Sequence, residues 1–274
     1  MILWKCIECD EINNYPEDTY CQTCGERISP AQKEYVQRFE FLMKRANSGD
    51  LYAALDLYNL YKEGKELARN NDEVLKWLKY AADRENAKAQ YEMGKLYFFE
   101  NDLVEQNDAE ALRWFTKSMN NNYPFATHYV AQCYSAGFGV QEDERNGFEL
   151  YLENAKQGIA ESMERVALSY KYGIGTEINE KQSFYWLKRA TEIEGHELSP
   201  KSAYRLACYY FDGKITAKND NEAIKLFQIA YNDGNQMAGC LMGEIFYNFG
   251  NPQTIGAAKN IWSMVAKSDD TDAA

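Results

Sequence analysis

The stretch "AQYEMGKLY", residues 89–97, places Met93 four residues and Gly94 three residues before Tyr97. That spacing sets all three on one face of a helix. One such face fixes nothing beyond an amphipathic helix, but this one returns. "THYVAQCY" ends at Tyr134, "MERVALSY" at Tyr170 and "AYRLACYY" at Tyr210, while "ALDLYNLY" ends at Tyr61 and "GCLMGEIF" at Phe246. The intervals are 36, 37, 36, 40 and 36 residues. Four residues before each aromatic stand Leu57, Met93, Val130, Val166, Leu206 and Met242. Three before it stand Tyr58, Gly94, Ala131, Ala167, Ala207 and Gly243, small in five of six. A fixed period of this length marks a repeat array.

A second helix follows each first one. Trp77, Trp114, Tyr151, Trp186, Leu226 and Trp262 lie 16 or 17 residues after the matching aromatic. Four residues beyond them come Ala81, Ser118, Ala155, Ala190, Ala230 and Ala266. A bulky residue followed by a small one at i+4 is a packing stripe. Gly64, Gly137, Gly173 and Gly213 fall three residues after the aromatic, where a helix end favours a left-handed residue. Glu100 and Phe249 break that rule in the second and sixth repeats. "GFG" at Gly137 and "GIG" at Gly173 lack the third glycine and the lysine of a phosphate cradle. Matching places in successive repeats make them turns.

The chain opens differently. Cys6, Cys9, Cys21 and Cys24 form two Cys-x-x-Cys pairs with eleven residues between them. Two such turns present four sulfurs in the tetrahedral arrangement of a zinc site. Gly25 lets the second turn close. So short a segment cannot bury a core, and metal binding of about 10–16 kcal/mol would supply its folding energy. Ser29 and Pro30 then start a helix. Phe41 lies 36 residues before Trp77, so this helix reads as half a repeat covering the first full one.

Net charge is −12, from 42 acids and 30 bases. That balance disfavours phosphate backbones and favours basic partners. No apolar run approaches a membrane span, and the first residues lack the features of a secretory signal. The expected setting is a reducing cytoplasm, where zinc thiolates persist and disulfides do not.

Two helices per 36 residues, the Leu-small-x-x-Tyr-x-x-Gly signature and the Trp-x-x-x-Ala second helix resemble the Sel-1-like repeat family, tetratricopeptide-related α-solenoids. The N-terminal stretch resembles Ran-binding-protein type zinc fingers through Trp4, Asn13 or Asn14, and Cys21-x-x-Cys24-Gly25, with a loop one residue longer. RNA-reading members of that class use loop arginines, absent here. Ubiquitin-binding members use a Thr-aromatic pair where this chain has Asp10-Glu11. Residues 1–29 hold two bases and six acids, which further disfavours RNA. The resemblance implies an all-α fold: a right-handed αα-superhelical solenoid of about six two-helix repeats with a small zinc-binding module. The expected domains are a ribbon at 1–28, a capping helix at 29–46, the solenoid at 47–268 and a tail at 269–274.

No catalytic motif stands out. His128 and His196 belong to no metal or nucleophile pattern. Cys133, Cys208 and Cys240 read as small helix residues. Some secreted relatives carry a disulfide in every repeat, with β-lactam binding or hydrolysis proposed; this chain lacks that cysteine pattern. The expectation is therefore a non-enzymatic adaptor whose first helices line a concave binding surface. In tetratricopeptide geometry, residues six before and one after the repeat aromatic point into that groove. Tyr91, Phe98, His128, Tyr204, Phe211 and Tyr247 are the candidates. The same stripe would equally serve packing between repeats. An acidic body suits a basic protein or peptide, one version being an inhibitor of a basic toxin or effector. The alternative is a nucleic-acid-binding regulator acting through the finger.

Overall fold

A computed structural model describes residues 2–5, 12–15, 24–25, 27, 29–64 and 69–271. Two strands, β1 (Ile2–Lys5) and β2 (Ile12–Tyr15), pair antiparallel from Ile2↔Tyr15 to Lys5↔Ile12. Thirteen helices follow among the described residues: α1 (Pro30–Asn47), α2 (Leu51–Glu63), α3 (Asn71–Ala82), α4 (Ala87–Phe98), α5 (Asp108–Asn120), α6 (Pro124–Ala136), α7 (Glu144–Lys156), α8 (Ala160–Tyr172), α9 (Glu180–Thr191), α10 (Pro200–Asp212), α11 (Asp220–Asn232), α12 (Gln236–Asn248) and α13 (Pro252–Thr271). The chain forms two compact units, Met1–Glu142 and Asp143–Ala274. Within each, a helix packs mainly on its neighbours in sequence. Among the described residues, no helix is long and apolar enough to cross a membrane.

Local chemistry sets the helix ends. Asn70, Asn107, Asp143, Asn179 and Asn219 precede the second helices, and each side chain accepts the N–H of the residue three places on. Asp50, Asn86, Ser199 and Asn235 do the same for four first helices. Such caps satisfy amides the helix itself leaves unpaired. The expected glycine stops are present: Gly64, Gly137, Gly173 and Gly213 sit at φ 62°, 71°, 74° and 66°. Gly139 and Gly175 answer a tighter demand. Both have positive φ, and their backbones lie on the starts of α5 and α7, at Asp108 and Glu144.

The packing stripes assemble the core. Ala81, Ser118, Ala155, Ala190 and Ala230 are all fully buried. Gly94 sits so close to Phe115 that a Cβ there would stand 2.5 Å from the ring. Trp77, Trp114 and Trp186 are buried, and the Trp77 indole N–H donates to Glu73 at 2.8 Å. The last repeat is looser: Trp262 is half-buried and Ala266 exposed, with no helix after α13 among the described residues. The reading of Phe41 as a counterpart of Trp77 needs correcting. α1 buries Phe39, Leu42 and Ala46 and leaves Phe41 58% exposed, under the Arg45 guanidinium. Among the described residues, α1 packs mainly on α2, and Phe41 points off the face that meets it.

Candidate partner-binding surface

Cys6, Cys9 and Cys21 lie outside the described residues. Cys24 is exposed at a turn, and Gly25 after it takes φ 74°. Lys5 pairs with Ile12, so the strands bracket the interval that holds Cys6 and Cys9.

In the first unit, Tyr91 and Phe98 are half-buried on α4. Tyr91 meets Tyr123, Tyr129 and Phe115 at 5.1, 5.7 and 6.0 Å between ring centroids. Phe98 meets Phe138, Tyr129 and Phe115 at 5.6–5.9 Å. His128, on α6, lies edge-on to Tyr129. These rings thus fill the seam between α4, α5 and α6. In the second unit, half-buried Tyr204 and Phe211 both lean on Phe227 of α11. Tyr247 is 52% exposed, with one face toward Trp262.

The equivalent position in α8 is Glu164, which is buried. Its carboxylate accepts from the Ser199 N–H at 3.2 and 3.3 Å and from the Ser199 hydroxyl, and lies 2.9 Å from His196 Nε2. Leu198 is buried beside them. Glu164 therefore pins the extra residues between α9 and α10, a role no sequence motif announced.

The open face of the first helices runs through other positions. Residues nine before and two after the repeat aromatic are exposed in all six, and residues five and two before it are nowhere buried. These positions carry five exposed large apolar side chains: Tyr52, Phe99, Phe125, Tyr172 and Met237. The helical period of the first turn could have found them, since these positions lie opposite the core stripe.

The two units differ in what these positions carry. In the second unit, Arg165 on α8 and Lys201 and Arg205 on α10 stand alongside Tyr172 and Met237. A pocket of about 260 Å³ lies against α8 and α10, walled by Tyr172, Tyr204 and Ile215 and edged by Lys171, Arg205 and Lys214. The Arg205 Nε and Nη2 donate to the Tyr172 hydroxyl at 3.4 and 3.3 Å, and Nη1 to the Lys201 carbonyl at 3.0 Å. Lys171 is paired with Glu180.

Burial raises several tyrosine hydroxyls. Tyr61 and Tyr204 are pushed up to about 12, and Tyr58 and Tyr91 are raised further. The unfolded chain ionises near pH 10, so the stabilisation is complete below that pH and is lost as pH rises through the folded values. The urea midpoint should therefore fall between about pH 9 and about pH 11. An unchanged midpoint would mean these hydroxyls ionise freely in the folded chain.

The Sel1 repeat pattern matches five segments, residues 52–86, 87–123, 124–159, 160–192 and 200–235, together more than half of the chain. Chitin synthase regulatory factor 3 of Schizosaccharomyces pombe is 27% identical over 140 residues, half of this chain and 15% of that protein. The chitin synthase regulator SKT5 of Saccharomyces cerevisiae is 25% identical, over 87% of this chain and 35% of its own. The chain thus spans well under two thirds of either relative. Among solved structures, a protective antigen from uropathogenic Escherichia coli superposes with a TM-score of 0.72 at 23% identity, covering 84% of this chain and 48% of that one. A Sel1 repeat protein from Oxalobacter formigenes superposes with a TM-score of 0.69 at 21% identity, covering 87% and 98%. Both show the solenoid fold.

Proposed function

Since the chain belongs to the Sel1 repeat family, whose members are protein–protein interaction adaptors, we propose that it binds a protein partner on the open face of its first helices. The observation that carries this is the recurrence of exposed apolar side chains there, Tyr52, Phe99, Phe125, Tyr172 and Met237. Aromatic side chains exposed at a repeated position cost solubility and are rich sources of binding energy. Tyr247 adds a further exposed ring in the second unit. Tyr91, Phe98 and His128 in the first unit, and Tyr204 and Phe211 in the second, form the wall behind. The repeat fold and the regulatory relatives point to a non-catalytic role. A basic partner, including a basic toxin or effector held inactive, is a narrower version resting on the net charge of −12. A cytoplasmic setting belongs to the same proposal.

The test compares partner capture from the native cell by the parent chain, by Phe99→Ser in the first unit and by Tyr172→Ser in the second. Phe99 is 47% and Tyr172 56% exposed, so melting should change little. Losing a hot spot weakens binding by about 2 kcal/mol, roughly thirtyfold. Equal recovery of the same partner by all three proteins would sink the reading.

The N-terminal segment is proposed to hold one zinc through Cys6, Cys9, Cys21 and Cys24. The spacing and the bracketing strands support it. A reduced, untagged preparation should contain about one zinc per chain. Chelation should release it and leave most helical circular dichroism in place, since the helices have their own core. Metal analysis that finds no zinc would end this proposal.

A further inference from the structure

We infer that the α8–α10 part of this face receives an acidic segment of the partner, a carboxylate seating between Arg205 and Lys214 at the mouth of the Tyr172–Tyr204 pocket. The inference rests on the adaptor reading and names the partner chemistry for one stretch of the surface. It runs against the overall charge of the chain, and that contrast is its first support. In a molecule of net charge −12, Arg165, Lys201, Arg205 and Lys214 gather on or beside the open face of two helices. None of the four has a carboxylate partner among the described residues, whereas Lys218 and Lys225 each do.

The second support is preorganisation. A free arginine loses side-chain freedom when it clasps a carboxylate. Arg205 is already held, by the Tyr172 hydroxyl on one side and the Lys201 carbonyl on the other. Those bonds use three of its five N–H groups and leave two for a ligand. Its guanidinium also stands 5.4 Å from the centre of the Tyr172 ring. A planar guanidinium fixed in this way matches a carboxylate in two-point geometry. Beside it, Tyr172 is 56% exposed and Ile215 adds an apolar wall. An acidic residue followed by an apolar one would fill both parts.

The remaining charges favour a peptide over a nucleic acid. Glu161, Glu180 and Asp212 share this region, with Glu180 neutralised by Lys171. A phosphate backbone brings a negative charge at every unit and would meet those carboxylates. A peptide brings charge only where its sequence places it, and neutral amides elsewhere.

The experiment uses the full chain and fluorescence anisotropy with labelled peptides of equal length: glutamate-rich with interspersed leucine, lysine-rich, and neutral. A single-stranded oligonucleotide is the fourth probe. The glutamate-rich peptide should bind at least about tenfold more tightly than the neutral one, and more weakly as salt is added. Arg205→Glu with Lys214→Glu should remove that preference. Arg205→Gln with Lys214→Gln, which shortens the side chains only modestly and deletes their charge, should do the same without like-charge strain. Lys156→Glu with Lys259→Glu makes an equal change of net charge on the exposed faces of α7 and α13 and should leave binding intact. Equal loss in that control pair would overturn the inference by assigning the effect to overall charge. So would tighter binding of the lysine-rich peptide or the oligonucleotide, or no binding of the glutamate-rich peptide. A captured partner that still depends on Phe99, which lies outside the pocket, would then leave the adaptor reading standing alone.

Discussion

Truncating Phe115 to alanine is expected to destabilise the first unit by about 3–5 kcal/mol. The side chain is fully buried, so its removal opens a cavity with no route for water to relieve it. Its ring stacks on Tyr129 at 4.7 Å and 15° and touches Tyr91 and Phe98. Gly94 has no side chain on the opposite wall, so no neighbour there stands ready to fill the gap. Trp114→Ala, at the preceding residue, should cost less. That ring is 8% exposed and has Lys117 only 4.1 Å above it, a flexible chain that can sink into the space. Chemical unfolding of both variants measures the difference. A loss below about 1 kcal/mol for Phe115→Ala would show that the aromatic seam repacks around the hole.

Gly175→Ala should destabilise the second unit by about 2–4 kcal/mol, although it adds a single methyl group. Two costs combine. The residue holds φ 66°, where an L side chain is disfavoured by about 1–2 kcal/mol. The new Cβ would also stand 2.6 Å from the carbonyl carbon of Glu144 and 3.0 Å from the amide nitrogen of Arg145. These are backbone atoms at the start of α7, and they cannot swing aside as a lysine tip can. Gly234→Ala separates the two costs. It sits at φ 90°, and a methyl group added there would meet nothing within 4 Å, so only the conformational part applies. Equal losses at the two glycines would refute the close approach between the α8–α9 turn and α7.

The helices were legible because each repeat writes the same pattern, and burial of Leu57, Met93, Val130, Val166, Leu206 and Met242 follows from it. Periodicity failed in α1 and α13. Phe41 has the right spacing but lies off the buried face of α1, and Ala266 is small but bare. The asparagine caps were equally readable, returning at Asn70, Asn107, Asn179 and Asn219, yet polar residues before an apolar run draw less attention than the run itself. The surface was harder to read. Positions that face solvent are free to vary, so Glu63, Phe99, Ala136, Tyr172, Asp212 and Asn248 occupy one structural place without any common chemistry. Glu164 was hidden for another reason. Its partners, His196 and Ser199, are 32 and 35 residues away and come together only when the loop before α10 folds back.

The side-chain caps also bear on how the molecule reaches its fold. A helix whose first turn is closed by the residue just before it needs no distant strand to define its start. Within each unit the packing partners are adjacent in sequence, so ordering one pair closes only a short loop. Low contact order of this kind belongs with rapid folding, and any pair can act as the seed from which its neighbours grow. It also makes the length of such an array easy to change. A duplicated pair arrives with its own start signals and must satisfy only the two interfaces on either side of it.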